Sequence, residues 1–276
     1  MSYFSEETSV QAVLDRLSDD VDSRFREIVT SFIKHLHGFV KDVEPTMAEW
    51  GQAIKYLTAM GQICDDKRQE WVLFSDTTGV SMLVDAINHR RPDGATENTV
   101  LGPFHVGGAP ERALGDSICL DGKGAPCVVS GRVTDEDGNP IAGAKLDVWQ
   151  TNDDGFYDVQ QPGEQPDMNM RGLFTADEDG SYNYVTVKPL PYSIPTDGPV
   201  GRFLDGMGRH AMRPAHIHYI VSAPGYETLV THIFVTGDPY IESDAVFGVK
   251  ESLIVDFEEV DGGHRARFDV KLKKLD

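Results

Sequence analysis

The stretch "CVVSGRVTDEDGNPIAGAKLDVWQ", residues 127–150, decides the fold class. Apolar and polar residues alternate in Cys127–Thr134, Asp-Gly-Asn-Pro chemistry then forces a turn, and a second β-rich run ends at Trp149. The grammar recurs in "GLFTADEDGSYNYVTV" (172–187), and "SLIVDFEEVDGGHRARFDVKLKK" (252–274) reads as a hairpin around Asp261-Gly262-Gly263. "AHIHYIVSAP" and "ETLVTHIFVTG" add further strands. Six to eight short strands at this spacing predict an antiparallel β-sandwich over residues 125–276.

Upstream, to about residue 92, the period changes to that of a helix. Phe25, Ile28, Val29, Phe32, Leu36, Phe39 and Val40 recur at three- and four-residue steps, which makes one apolar stripe. Thr46 and Glu49 are spaced as a capping box ahead of "MAEWGQAIKYLTAM". "SDTTGVSMLVDAINHR" places Val80, Leu83, Val84 and Ile87 on one side of a last helix. The expected organisation is α+β: an N-terminal helical region (1–92), a Gly/Pro-rich connector (93–124) and the sandwich (125–276). Amphipathic helices without a helical companion domain need an apolar surface to cover, part of it in a second copy of the chain.

Composition narrows the function. A formal charge of −20 argues against nucleic acid, because phosphate binding needs a density of Lys and Arg that is absent. Cys64, Cys119 and Cys127 show no CxxC spacing and suit a reducing compartment. The N-terminus shows no secretory pattern and no window reads as a membrane span, so a soluble, cytoplasmic protein without membrane insertion is expected.

Two of the nine histidines, His216 and His218, stand two apart in "MRPAHIHYIV". On a strand, alternate residues share a face, so both rings can reach one metal ion; a merely polar strand face would look the same. His35 and His37 repeat the spacing within a helical stripe, where the side chains diverge, and read as structural or surface residues. Carboxylates and thiolates do not cluster near the strand motif. Two tyrosines stand out as further candidate donors, Tyr157 in "TNDDGFYDVQ" and Tyr192 in "PLPYSIPTDGPVG", although most tyrosines sit at a core edge with the hydroxyl in water. Two phenolates with two imidazoles match Fe(III), since hard anionic oxygen favours the ferric ion. A zinc or copper sandwich with bystander tyrosines stays open at this stage.

"GRVTDEDGNPIAGAKLDVWQTNDDGFYD", "PLPYSIPTDGPVG" and "MRPAHIHYIV", in this order, resemble the intradiol ring-cleaving dioxygenases over nearly the whole chain. "EWVLFSDTTGVSMLVDAIN" and "TENTVLGPFHV" look like the catechol and hydroxyquinol branch. The first segment alone also resembles prealbumin-like carrier modules, a reading that leaves the HIH and LPYSIP motifs unexplained. The resemblance implies one non-haem Fe(III) per subunit, held by Tyr157, Tyr192, His216 and His218. It implies that an aromatic 1,2-diol chelates the iron and reacts with O2 to give a muconate-type diacid. Tyr192 would leave the metal and accept a substrate proton, and Arg213 would border the ring and stabilise its charge. His232 lies near where some members carry a glutamine, and its role stays open.

By the same resemblance, Leu73, Asp76, Val100, Leu101, Gly102, Ile194, Pro195, Arg213 and Val246 line the substrate pocket. A carboxylate at Asp76 suits a third ring hydroxyl, but "SDTTG" before a helical run also fits an N-cap. The expected substrate is hydroxyquinol (1,2,4-trihydroxybenzene), with catechol or chlorocatechol as the alternative. The branch also implies a homodimer through the N-terminal helices and a phospholipid in a tunnel between them.

Overall fold

A computed structural model describes residues 3–65, 68–90 and 94–275, in two compact units, Met1–Ala59 and Met60–Asp276. The first unit contains α1 (Ser9–Leu14), α2 (Ser23–Val43) and most of α3 (Met47–Gln62). Asp22 starts α2 by accepting the Phe25 amide at 2.9 Å. The expected capping box starts α3: Thr46 N donates to Glu49 Oε2 (2.8 Å) while Glu49 N donates to Thr46 Oγ1 (3.3 Å). Much of the apolar stripe of α2 is exposed, with Phe25, Phe32 and Phe39 each more than half exposed.

The second unit carries α4 (Glu70–Thr77), α5 (Val80–Asn88) and α6 (Pro199–Gly206) with the strands. By packing, α4 and α5 belong with the strands, although in the sequence they continue the helical pattern. One sheet pairs β1 (Pro126–Asp135) with β4 (Ser181–Val187) on one side, and with β11 (Gly263–Arg267) and β12 (Val270–Leu272) on the other. β10 (Phe257–Val260) forms the expected hairpin with β11. The second sheet runs β3 (Arg171–Thr175), β2 (Lys145–Trp149), β7 (His216–Ser222), β8 (Leu229–Val235), β9 (Ile254–Val255). A two-stranded ribbon pairs β5 (Tyr192–Ser193) with β6 (Met212–Arg213).

The sandwich is mixed, which corrects the purely antiparallel expectation: β1 runs parallel to β11 and β12, and β8 parallel to β9. Tight turns force antiparallel pairing only between neighbours in sequence. The C-terminal strands reach β1 from more than a hundred residues away, so no turn sets their direction.

Both "DEDG" turns carry the chain from one sheet to the other, joining β1 to β2 and β3 to β4. Gly180 has φ +77°, and a Cβ there would lie 2.4 Å from the Val133 carbonyl oxygen, so the second turn requires glycine. Alternate residues of the facing strands fill the space between the sheets: Val129 and Val133, Leu146 and Val148, Tyr182 and Tyr184, and Ile217, Tyr219 and Val221. Burial of each such side chain contributes roughly 1.5–3 kcal/mol. Because Ile217, Tyr219 and Val221 face this core, His216 and His218 face the opposite side of the sheet.

The first "DEDG" turn is tied down by charge. Asp135 Oδ1 accepts from the amides of Asp137 (3.0 Å) and Asn139 (2.8 Å), and Lys274 Nζ lies 2.9 Å from Oδ2. Hydrogen bonds from Asn139 and Lys274 hold the Asp135 carboxyl well below the usual carboxylate range. A depressed folded-state pKa stabilises fully above the unfolded value, near 4, and the contribution is lost as pH falls through the lower folded value. Asp135→Asn is therefore expected to lower the urea midpoint at pH 5 and to flatten its decline below pH 4. An unchanged acid limb would show that the turn draws nothing from this charge.

Candidate metal centre

The site is built on the outer face of the second sheet. His218 lies in register between Trp149 on β2 and His232 on β8, so the three rings form one row across the sheet. Trp149 stacks on the His218 ring at 4.6 Å and 14° between planes. Gly102 closes on the ring from the connector; with φ +78°, a Cβ there would stand 3.2 Å from His218 Cε1. Ring position is thus set by packing before any hydrogen bond is counted.

The two tyrosines arrive from loops. Tyr157 follows β2, immediately ahead of a 3₁₀ turn at Asp158–Gln160, and its ring stacks on Phe104 at 4.7 Å. Arg171, itself buried, clamps this loop: Nε (2.8 Å) and Nη2 (2.6 Å) donate to Asp158 Oδ1, and Nη2 also donates to the Phe104 carbonyl (2.9 Å). Tyr192 lies on β5 directly opposite Arg213 on β6, so the short ribbon brings "PLPYSIP" to "MRPAHIH".

The donor atoms converge. Tyr157 Oη lies 2.7 Å from His218 Nε2 and 3.3 Å from Tyr192 Oη, and His216 Nε2 lies 3.2 Å from His218 Nε2. All four side chains are buried. His216 Nδ1 is 2.6 Å from the Pro214 carbonyl oxygen, to which it can only donate, so the lone pair on Nε2 points into the cluster. His216, His218 and His232 bring ring nitrogens within 4.8 Å of one another, but His232 Nε2 meets His218 at Nδ1 (2.6 Å), the edge turned away from the tyrosines.

Burial decides the protonation states. It pushes His216 down to about 3, with the Arg213 charge adding to the effect, and His218 well below its ordinary value. Both imidazoles are therefore neutral and able to donate a lone pair. The Tyr157 phenol is pushed well above 10, by burial first and then by Tyr192. A phenol in such a place ionises only beside strong positive charge. Two neutral imidazoles and two buried phenols around one point therefore fit a hard, highly charged cation, and Fe(III) fits that donor chemistry.

Arg213 stands beside the donors with Nη1 3.1 Å from His216 Nε2. Burial works against the cation, yet Asp244 and the two tyrosines keep the guanidinium charged. Asp244 accepts from Arg213 Nε (3.1 Å) and Nη2 (3.3 Å) and from the amides of Val246 (3.3 Å) and Gly248 (2.9 Å). One carboxylate thus places both the arginine and Val246.

The other residues singled out for the pocket are distributed as follows. Leu73 and Pro195 line a common cavity of about 230 Å3 with Phe104. Ile194 is buried beside Tyr192, Val100 is half-buried in the connector, and Leu101 is 42 % exposed. Asp76 is buried near the C-terminal end of α4, and Gly79 occupies the N-cap of α5, so Asp76 is not the cap that "SDTTG" suggested. Burial raises the Asp76 carboxyl, opposed by a hydrogen bond with Ser81 and then by the charge of Arg213. Asp244, Arg171 and Asp158 carry no local signal in the sequence, because their partners are distant in the chain or spaced without a motif.

The description "Catechol dioxygenase N terminus" matches residues 22–96, and "Dioxygenase" matches residues 103–274. The chain belongs to the intradiol ring-cleavage dioxygenase family. It is 60% identical over 265 residues to the hydroxyquinol 1,2-dioxygenase of Rhizobium sp. (strain MTP-10005), covering 96% of this chain and 90% of that protein. Identity to the 6-chlorohydroxyquinol 1,2-dioxygenase of Cupriavidus pinatubonensis is 50%, over 99% of both chains. The crystal structure of hydroxyquinol 1,2-dioxygenase from Pseudomonas putida DLL-E4 superposes with a TM-score of 0.93 at 47% identity, covering 98% of this chain and 99% of that one. Wild-type catechol 1,2-dioxygenase from Acinetobacter radioresistens gives 0.87 at 28% identity, covering 99% and 94%. Among the described residues, no helix is long and apolar enough to cross a membrane.

Proposed function

We propose that this intradiol dioxygenase opens hydroxyquinol with O2 to 3-hydroxy-cis,cis-muconate, the enol form of maleylacetate, using one non-haem Fe(III) per subunit. The observation that carries the reading is the convergence of Tyr157, Tyr192, His216 and His218 on one buried point, with Arg213 beside it. The substrate assignment rests on the hydroxyquinol-cleaving relatives and on the buried carboxyl of Asp76 within the field of Arg213.

In this reading Tyr157, Tyr192, His216 and His218 hold the ion. When bound, ferric iron supplies Lewis acidity that draws electron density from a chelated diol and opens the ring to O2. The remaining chemistry belongs to the chain. Tyr192 Oη would accept a proton from the incoming diol. Arg213, held by Asp244, places a fixed positive charge beside the ring where negative charge develops. Leu73, Val100, Leu101, Gly102, Ile194, Pro195 and Val246 form the ring pocket, and their apolar groups keep water from the reacting carbons. Asp76 accepts the hydrogen bond of the third hydroxyl, which catechol lacks.

Purified protein is expected to be red-brown from tyrosinate-to-iron charge transfer. Tyr157→Phe should bleach or shift that visible band and cut turnover sharply; an unchanged spectrum would remove Tyr157 from the ligand set. Oxygen uptake should favour hydroxyquinol over catechol and chlorocatechols. Asp76→Ala should lower kcat/KM for hydroxyquinol about 10- to 100-fold, the worth of one charge-assisted hydrogen bond, and change catechol turnover far less. Equal losses on both substrates would return Asp76 to a structural role, and no uptake with any diol would overturn the reading.

The unit Met1–Ala59 is expected to pair with a second copy through the exposed stripe of α2. Phe25, Ile28, Phe32, Leu36, Phe39, Val40 and Val43 are all at least 43 % exposed, a large apolar face for a chain of charge −20. The phospholipid implied by the family would lie against the same apolar helices. Phe32→Asp should convert a dimer to a monomer at micromolar concentration in sedimentation; a wild-type monomer excludes the interface.

A further inference from the structure

His232 is fully buried, 2.6 Å through Nε2 from His218 Nδ1, and its own Nδ1 has no hydrogen-bond partner among the described residues. It belongs with His216 and His218 to one cluster of ring nitrogens, so the geometry leaves two roles: a further ligand, or a residue acting through His218. The two edges of the His218 ring separate them. Nε2 faces Tyr157 Oη at 2.7 Å and His216 Nε2 at 3.2 Å, whereas Nδ1 faces His232. One imidazole cannot turn both nitrogens to the same ion, and the tyrosines stand on the Nε2 side.

We propose that His232 is the positioning residue for His218: its Nε2 accepts the His218 Nδ1–H and so keeps His218 Nε2 bare and aimed at the metal. This rests on the ligand set proposed above. A neutral imidazole bound through Nε2 carries its proton on Nδ1, and that proton needs an acceptor. His232 Nε2 is in place to accept it, which puts the His232 proton on Nδ1. The opposite arrangement, with His232 donating, would put a proton on His218 Nε2, where it points at Tyr157 Oη and blocks coordination. The arrangement that permits coordination leaves a buried Nδ1–H unpaired, a cost that packing must hold in place. Phe234 presses edge-on against the His232 ring at 5.5 Å, and Trp149 stacks on His218. An acceptor behind a metal-bound imidazole also strengthens its donation to the ion.

The test uses the iron-loaded protein and two substitutions. His232→Phe keeps a ring of similar size without an acceptor, and His232→Gln offers an amide oxygen. Iron release to EDTA and the wavelength of the tyrosinate-to-iron band are followed in the absence of substrate. The phenylalanine variant should release iron about 10- to 100-fold faster and keep a visible band moved to longer wavelength, because the iron becomes a stronger acceptor. The glutamine variant should return release to within about threefold of wild type and restore the band. Wild-type release and spectrum in His232→Phe, or a glutamine variant no better than phenylalanine, overturns the proposal while leaving the ligand set intact. His232→Met replaces the phenylalanine variant if that chain does not fold. Wild-type protein that binds iron without any visible band overturns the ligand set itself.

Discussion

The site answers one constraint: two phenol oxygens and two imidazole nitrogens are linked by contacts of hydrogen-bond length among buried side chains. Burial alone makes such a cluster unfavourable, since it keeps the Tyr157 phenol protonated and the imidazoles uncharged. A trivalent cation reverses the sign of that penalty, because its charge stabilises phenolate most strongly where the dielectric is low. The cluster is thus poorly designed as a core and well designed as a receptor for a hard ion.

Holding it requires stiff support, and two buried ion pairs provide it. Arg171 with Asp158 and Phe104 fixes the loop that carries Tyr157, and Asp244 fixes Arg213 together with the backbone of residues 246–248. A buried ion pair is weak as a source of stability, because desolvation offsets most of its attraction. Its value here is geometric, since a two-point contact to guanidinium fixes direction as well as distance. The sheet supplies the third support by setting Trp149, His218 and His232 in one row.

Several elements were legible because their signals are local. Two-residue periodicity identified the β7 strand and put His216 and His218 on one face, as the structure has them. The Thr46–Glu49 capping box and the hairpin at residues 261–263 depend on contacts within a few residues, and both formed as read. Parallel pairing of β1 with β11 and β12 was not legible, because strand direction across a long connection is settled by core packing. Asp76 was ambiguous because "SDTTG" ahead of a helical run reads as a helix start, and only the position of Gly79 at the N-cap removed that reading.

The sequence by itself determined the strand faces, the turn positions and the helical stripe, and its motifs carried the resemblance to the family, which implied the four residues expected as donors. Tertiary structure alone decided how those donors meet. Tyr157 on a loop and Tyr192 on the two-residue strand β5 lie 35 residues apart with no periodicity to aim them, and their hydroxyls come together through the β5–β6 ribbon and the Arg171 clamp. The same holds for Asp244, 31 residues beyond Arg213, and for His232, 14 residues beyond His218. A local pattern reports which face a side chain takes; which atom it meets there depends on chain closure over long separations, and that is settled by the packing of the whole unit.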